Sequence, residues 1–202
     1  MSATRPGTHP RQQLLLIALV FFGPLLLAFW MYYGSSWRPV GRINHGDLIA
    51  PPRPLPALAL PRVEASGVAA ASLSGSNAFR GKWSLVYIGP GDCGADCRKT
   101  LYFMQQTHLG LGNLIPRVQR VFLVSHGCCD RTLIERDHPD LIVLDAQGRA
   151  AGPLLAQFPV APSTSIFIVD PRGNLMMRYD ANADPKGLRD DLKRLLDLSH
   201  IG

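Results

Sequence analysis

Charged residues are scarce in this chain, at 18% of 202 residues, against about 25% in an ordinary soluble domain. A shortfall of that size points to one strongly apolar segment. The 21 Lys+Arg exceed the 15 Asp+Glu, for a formal net charge of +6, but the excess is almost all arginine and it is scattered. No basic run and no alternation of basic with aromatic residues occurs, so nucleic acid is not an expected partner. A Gly-rich phosphate loop, a paired-carboxylate site and a Ser/His/Asp arrangement are also missing. Cysteine is sparse too: Cys93, Cys97, Cys128 and Cys129 are too few for a disulfide scaffold, and they cluster within 37 residues, which suggests chemistry or one local bridge. An apolar content of 47% excludes a wholly disordered chain, and no collagen-like repeat is present. The length suits one domain with something to spare.

The apolar segment is Leu14 to Tyr33, 20 residues without a charge. At about 1.5 Å per residue a helix of that length spans a bilayer core of about 30 Å. Trp30, Tyr32, Tyr33 and Trp37 at its far end suit a headgroup interface. Pro24 lies mid-span, where a membrane helix tolerates a kink. A cleavable signal peptide would need a shorter apolar core and a small-x-small site, and Gly34-Ser35-Ser36 is a poor one. An uncleaved single-pass anchor is therefore expected, with residues 1–13 as a cytoplasmic N-terminus. Arg5 and Arg11 before the span balance Arg38 and Arg42 after it, so basic residues do not set the orientation. The cysteines do. A domain carrying them fits an oxidising compartment, the periplasmic side of a bacterial inner membrane.

Residues 34–65 show no periodicity and hold five prolines within the thirteen residues 50–62. Such a segment favours extended, semi-rigid backbone and is expected to be a stalk. Within it, residues 46–49 are expected as a short strand docking on the domain. The pattern changes for residues 66–202. Strands are expected at 83–88, 118–125, 141–145, 165–169 and 174–179, with the last two joined by the turn Asp170-Pro171-Arg172-Gly173. Helices are expected at 97–109, with Leu101, Met104 and His108 on one face, and at 184–198, with Asp184 as N-cap, Pro185 in the first turn and a stripe of Leu188, Leu192, Leu195 and Leu196. Residues 154–158 form at most a short helix. Near-continuous apolar strands flanked by helices argue an α/β domain with its central sheet covered on both faces. The element order is that of a thioredoxin-like domain.

Cys93 and Cys97 form a C-x-x-x-C motif between the first core strand and the first helix. Unpaired N–H groups and the helix dipole favour a thiolate there. Asp92 and Asp96 oppose it, and Arg98 and Lys99 favour it. A thiolate attacks disulfides and binds soft metals, so Cys93 and Cys97 are the candidate catalytic and metal-binding residues; an inert structural disulfide is the alternative.

On these residues the domain resembles the Sco/SenC family of membrane-anchored, thioredoxin-like cytochrome c oxidase assembly proteins. The resemblance covers about residues 66–198 and rests on WSLVYIG before the cysteines, on VFLVS, and on IFIVDPRGN with its Asp170-Pro171-x-Gly173 turn. It implies Cu(I) held by the two cysteines and one histidine, with an oxidase subunit or another assembly factor as partner. The family histidine lies eight residues before the hairpin aspartate, and here that position is Pro162. The departure shifts weight toward a dithiol oxidoreductase in which Pro162 is the loop proline facing the dithiol, or toward a non-catalytic docking factor.

His126, Cys128 and Cys129 form a second cluster just past the second core strand. Strand ends of a parallel sheet share an edge, so this loop is expected near Cys93, as a replacement third ligand or a resolving thiol. The alternatives are a buried or vicinal cysteine pair without a role and, less favoured, zinc. His9, His45, His108, His138 and His200 are expected in surface or packing roles. Met176 and Met177 are expected in the core.

Overall fold

The computed structural model describes residues 10–34, 44–63, 69–73, 78–127, 129, 132–199 and 201. Cys128, His9, His200, Arg5, Ser35, Ser36, Trp37, Arg38 and Arg42 lie outside the described residues. The chain divides into two compact units, Met1–Arg42 and Ile43–Gly202.

The first unit contains the helix α1, Pro10–Gly34, with Pro24 inside it. Its mean hydropathy reaches 2.6 over an 18-residue window, and it is long and apolar enough to cross a membrane.

The second unit is built on one mixed sheet. Its strands are β1 (Asp47–Pro54), β2 (Leu60–Val63), β3 (Ala69–Leu73), β4 (Trp83–Gly89), β5 (Val118–Val124), β6 (Leu141–Asp145), β7 (Ser165–Val169) and β8 (Asn174–Asp180), and the helices are α2 (Ala95–Leu109), α3 (Gly152–Leu155) and α4 (Pro185–Leu198). The order across the sheet is β1-β8-β7-β4-β5-β6-β2-β3. β4, β5 and β6 run parallel, while β7 and β8 return antiparallel as a hairpin on the other side of β4.

Successive side chains point to opposite faces, and both faces are covered, which is why the core strands read as unbroken apolar runs. Leu85, Tyr87, Phe122, Val124, Ile166 and Ile168 join a cluster with Leu101 and Met104 of α2 and Leu188, Leu192 and Leu196 of α4. Val86, Val121, Leu123, Phe167 and Val169 join a second cluster with Phe79, Leu154 and Phe158. The three α4 leucines are fully buried, worth about 1.5–3 kcal/mol each relative to exposure. Asp184 caps α4, its carboxylate accepting from the Lys186 N–H at 3.0 Å.

One expectation meets a different arrangement. The proline-rich segment expected as a stalk contributes β1 and β2 to the sheet. β1 lies at one edge, pairing Asp47 with Arg178 and Leu48 with Met177 before its register shifts toward Arg53. An edge strand needs ladder donors on one side only, so it accepts prolines that a central strand would not. The segment is anchored at its start, where the His45 and Gly46 N–H groups both donate to the Asp191 carboxylate, at 2.7 and 3.0 Å. Further along, Leu55 N–H donates to the Gly173 carbonyl at 2.8 Å. The short strand expected at 46–49 is thus the beginning of β1.

The histidines at 108 and 138 are buried, in packing roles around a buried arginine. His108 Nε2 lies 3.0 Å from the Val118 carbonyl. Arg120, fully buried on β5, pairs with Asp140, and its Nη1 lies 3.4 Å from His138 Nδ1. Met177 is buried, and Met176 packs against the core.

Candidate functional site: the disulfide between β4 and α2

The site begins where β4 ends. The chain leaves the sheet at Gly89, makes a short turn, and enters α2 at Ala95. Gly89 is required by a close approach: a Cβ there would lie 2.6 Å from the Tyr87 hydroxyl and 2.8 Å from two ring carbons. Cys93 sits within the turn at φ +43°, a left-handed conformation uncommon outside glycine. Its N–H donates to the Pro90 carbonyl at 3.3 Å, and its carbonyl accepts from Arg98 Nε at 3.1 Å. The first helical bond of α2 runs from Arg98 N–H to the Gly94 carbonyl. The N–H groups of Ala95, Asp96 and Cys97 are therefore at the unpaired end of the helix.

Cys93 and Cys97 are joined by a disulfide with Cα atoms 5.0 Å apart. Both residues are nearly enclosed, at 1% and 3% exposure. A cleft of about 320 Å³ opens beside Cys97, lined also by Tyr87, Pro90, Gly94, Asp96 and Ser163. Ser163 Oγ donates to Asp96 Oδ2 at 3.2 Å, closing the cleft from the loop before β7. The Tyr87 ring is buried and packs on Phe122, 5.4 Å between centroids. Burial first, and then the Asp96 charge, push its hydroxyl up to about 12, so it remains a donor at neutral pH. Below the cleft, Thr164 Oγ1 donates to Asp180 Oδ1 at 2.8 Å. The Asn182 backbone N–H is the main cause holding the Asp180 carboxyl below its usual value, with Thr164 assisting against the opposing effect of burial.

The second cysteine loop meets the first through backbone. Gly91 N–H donates to the His126 carbonyl at 2.8 Å, and Ser125 N–H to the Gly89 carbonyl at 2.9 Å. The exposed His126 ring has Nδ1 at 3.0 Å from Ser125 Oγ. Cys129 is half-buried, packs against the core and is itself disulfide-bonded. Among the described residues no three His, Cys, Asp or Glu side chains come together as a metal site. Reduced Cys93 and Cys97 supply two thiolates, enough for a two-coordinate Cu(I), but the described residues add no third ligand to them.

Pro162 does not line the cleft beside Cys97. It lines a neighbouring cleft of about 240 Å³ with Ile88, Phe158 and Phe167. The turn closed by Ser165 N–H on the Pro162 carbonyl carries Ser163, the next residue, to Cys97 instead. Tyr87 and Ser163 are the site residues that sequence reasoning missed. Tyr87 left a signal: a polar-tipped ring two residues before the glycine that ends the strand. Ser163 left none, since only the tertiary path of the loop brings it to the cleft.

The fold is similar to that of several solved structures. The apo Sco1 protein of Thermus thermophilus matches with a TM-score of 0.55 at 20% identity, covering 77% of this chain and 99% of that one. Copper-bound yeast Sco1 matches with a TM-score of 0.56 at 17% identity, covering 71% and 95%. The thioredoxin domain of a thiol-disulfide oxidoreductase from Bacteroides vulgatus matches with a TM-score of 0.52 at 19% identity, covering 73% and 98%. At these identities the likeness is one of fold, and it confirms the thioredoxin-like architecture. No match exists among curated protein sequences. Residues 11–35 match a family described as the transmembrane-like N-terminal domain. Residues 83–199, more than half the chain, match the transmembrane-like, thioredoxin-like C-terminal domain, and the chain belongs to that family.

Proposed function

We propose that this protein is a membrane-anchored thiol-disulfide protein that assists cytochrome c oxidase biogenesis through Cys93 and Cys97. The observation that carries this reading is the Cys93–Cys97 disulfide at a strand-to-helix turn, beside an open cleft, in a fold shared with Sco proteins and with a thiol-disulfide oxidoreductase. A structural staple has no need of a cleft beside one of its cysteines. The reduced pair would keep client cysteines in the thiol form. Residues 14–33 act as an uncleaved anchor in a bacterial inner membrane, residues 1–13 remain in the cytoplasm, and the domain faces the periplasm, where a dithiol is cycled.

A second reading, delivery of Cu(I), draws on the copper-bound state of yeast Sco1. The absence of a third ligand among the described residues places it behind the dithiol reading, and no step is derived through copper.

The test is thiol trapping joined to complementation. In cells, the Cys93–Cys97 pair should change its count of alkylatable thiols between oxidising and reducing conditions. The Cys93→Ser and Cys97→Ser variants should fail to restore oxidase activity to a strain lacking the protein. A pair that stays oxidised under both conditions, or Ser variants that complement fully, would defeat the proposal. If both cysteines cycle and oxidase activity never depends on the protein, the dithiol chemistry stands and the client is another protein. A Cu(I) chelator competition on the reduced full chain addresses the second reading.

A further inference from the structure

We infer that the cleft of about 240 Å³ beside Pro162 receives an apolar side chain of the client polypeptide, close in sequence to the client cysteine that meets the Cys93–Cys97 pair. This site deepens the thiol-exchange reading above and rests on it.

The cleft lies on the other face of the sheet from the pair. Ile88, Leu155, Phe158 and Phe167 line it, and all four belong to the second core cluster or pack against it. Cys93, Cys97 and Tyr87 belong to the first cluster. Successive strand residues face opposite ways, so the end of β4 sends Tyr87 to the cleft beside Cys97 and Ile88 to this one. The loop before β7 stands between the two, and one of its residues, Ser163, lines both. Ser163 is exposed, and its hydroxyl already donates to Asp96. A chain laid over Ser163 therefore meets both clefts. At about 3.3 Å per residue of extended backbone, the two side chains it places there are a few positions apart.

The walls define the chemistry of the occupant. None of the nine described residues that line the cleft carries a charge, and a charged side chain would lose its hydration there without gaining a partner. The floor is preformed. Phe158 and Phe167 are buried and pack edge to face, 5.0 Å between centroids, so binding does not have to order them. The volume falls below the range of about 300–1,000 Å³ found for pockets that enclose whole small molecules. It suits one side chain of leucine, methionine or phenylalanine size. Around the cleft, Ile88 and Leu155 are half-buried, and Val160, between two lining residues of the loop, is fully exposed. Apolar residues gathered about a concavity differ from the singly scattered ones that any surface carries.

The experiment uses the full chain in phosphatidylcholine nanodiscs, with the pair reduced beforehand. The substrates are short peptides with one cysteine, each held as a mixed disulfide with 2-mercaptoethanol. In each peptide a leucine stands at a different position near the cysteine, and the reference peptide has serine at all of them. In each turnover the two thiols of the pair close to the disulfide and give up two electrons. The substrate S–S bond opens to two thiols, which take the two protons. Every rate is divided by that on 2-hydroxyethyl disulfide, which has no side chain for the cleft, so a general change in reactivity cancels. At least one leucine peptide should be reduced about tenfold faster than the serine peptide, equivalent to about 1.4 kcal/mol. Ala161→Phe, which fills the cleft from the loop, should remove that preference; a melting curve shows whether the variant has folded. Equal rates on leucine and serine peptides, or a preference that survives in folded Ala161→Phe, would overturn the inference. Methyl NMR with the leucine peptide, its cysteine replaced by serine, reads docking without chemistry, and the Leu155 and Ala161 methyl signals should shift. If no substrate is reduced, the thiol-exchange reading fails by itself. Methyl shifts would then still support the cleft as a peptide site, and their absence would sink it too. Shifts that grow with protein concentration in the absence of peptide would make a second copy of the chain the occupant, against the inference.

Discussion

Gly89→Ala tests the packing that places Tyr87 at the cleft. An added Cβ at residue 89 would meet the Tyr87 hydroxyl at 2.6 Å and two ring carbons at 2.8 Å. Tyr87 is 1% exposed and its ring is held against Phe122, so it cannot swing away cheaply. Overpacking of this kind costs about 1–3 kcal/mol. Against it stands the gain from replacing glycine inside a strand, about 0.5–1 kcal/mol. The net expectation is a loss of roughly 0–2.5 kcal/mol, centred near 1, which lowers Tm by about 2–4 °C per kcal/mol for a domain of this size. The decisive measurement is a double-mutant cycle with Tyr87→Leu, which removes all three clashing atoms. In that background Gly89→Ala should become neutral or stabilising, a change of sign rather than of size. Urea unfolding followed by Trp83 fluorescence supplies the four stabilities, since Trp83 is buried at the start of the same strand. Additive effects in the two backgrounds would refute the close approach and the placement of the hydroxyl drawn from it.

Asp191→Ala should destabilise the domain by about 2–4 kcal/mol, since it strips the acceptor from the His45 and Gly46 N–H groups; slow hydrogen exchange at the Gly46 amide should be lost, and retained protection would count against the anchoring. Acid should weaken the fold through His138. Its pKa is lowered by burial and then by Arg120, against smaller opposing effects of Asp137 and Asp140. The unfolded chain therefore binds the proton more readily, and stability present above about pH 6.5 falls as the pH drops below it. His138→Phe should flatten the fall in Tm between pH 7.5 and 5.5, and an unchanged slope would assign it to other groups. Asp140 responds at lower pH: burial raises its carboxyl, but the Arg120 charge and hydrogen bond, its own backbone N–H and His108 together hold it below the usual value, so its contribution is present above about pH 3.8 and is lost beneath it.

The local devices of this fold were legible in the sequence. A 20-residue uncharged run can form one long apolar helix, and α1 covers it. The Asp170 turn closes on itself through short-range bonds, with its carboxylate accepting from the Arg172 and Asn174 N–H groups at 2.9 and 2.8 Å. Any chain carrying those residues in that order favours the same hairpin. The C-x-x-x-C spacing sets two sulfurs within one turn of each other, so the bridge was also foreseeable. Non-local pairing was not. The prolines of residues 50–62 report an extended backbone, but its pairing with Leu175 and Asn174 of β8, some 120 residues away, decides that it joins a sheet edge and is not a stalk. A count from Asp170 selects Pro162 as the residue facing the dithiol, whereas the tertiary path of the loop presents Ser163. What lines the cleft beside Cys97 was fixed the same way: Tyr87 from β4 and Ser163 from the loop before β7 meet there only in the folded chain, because enclosure depends on what the rest of the chain packs around a residue.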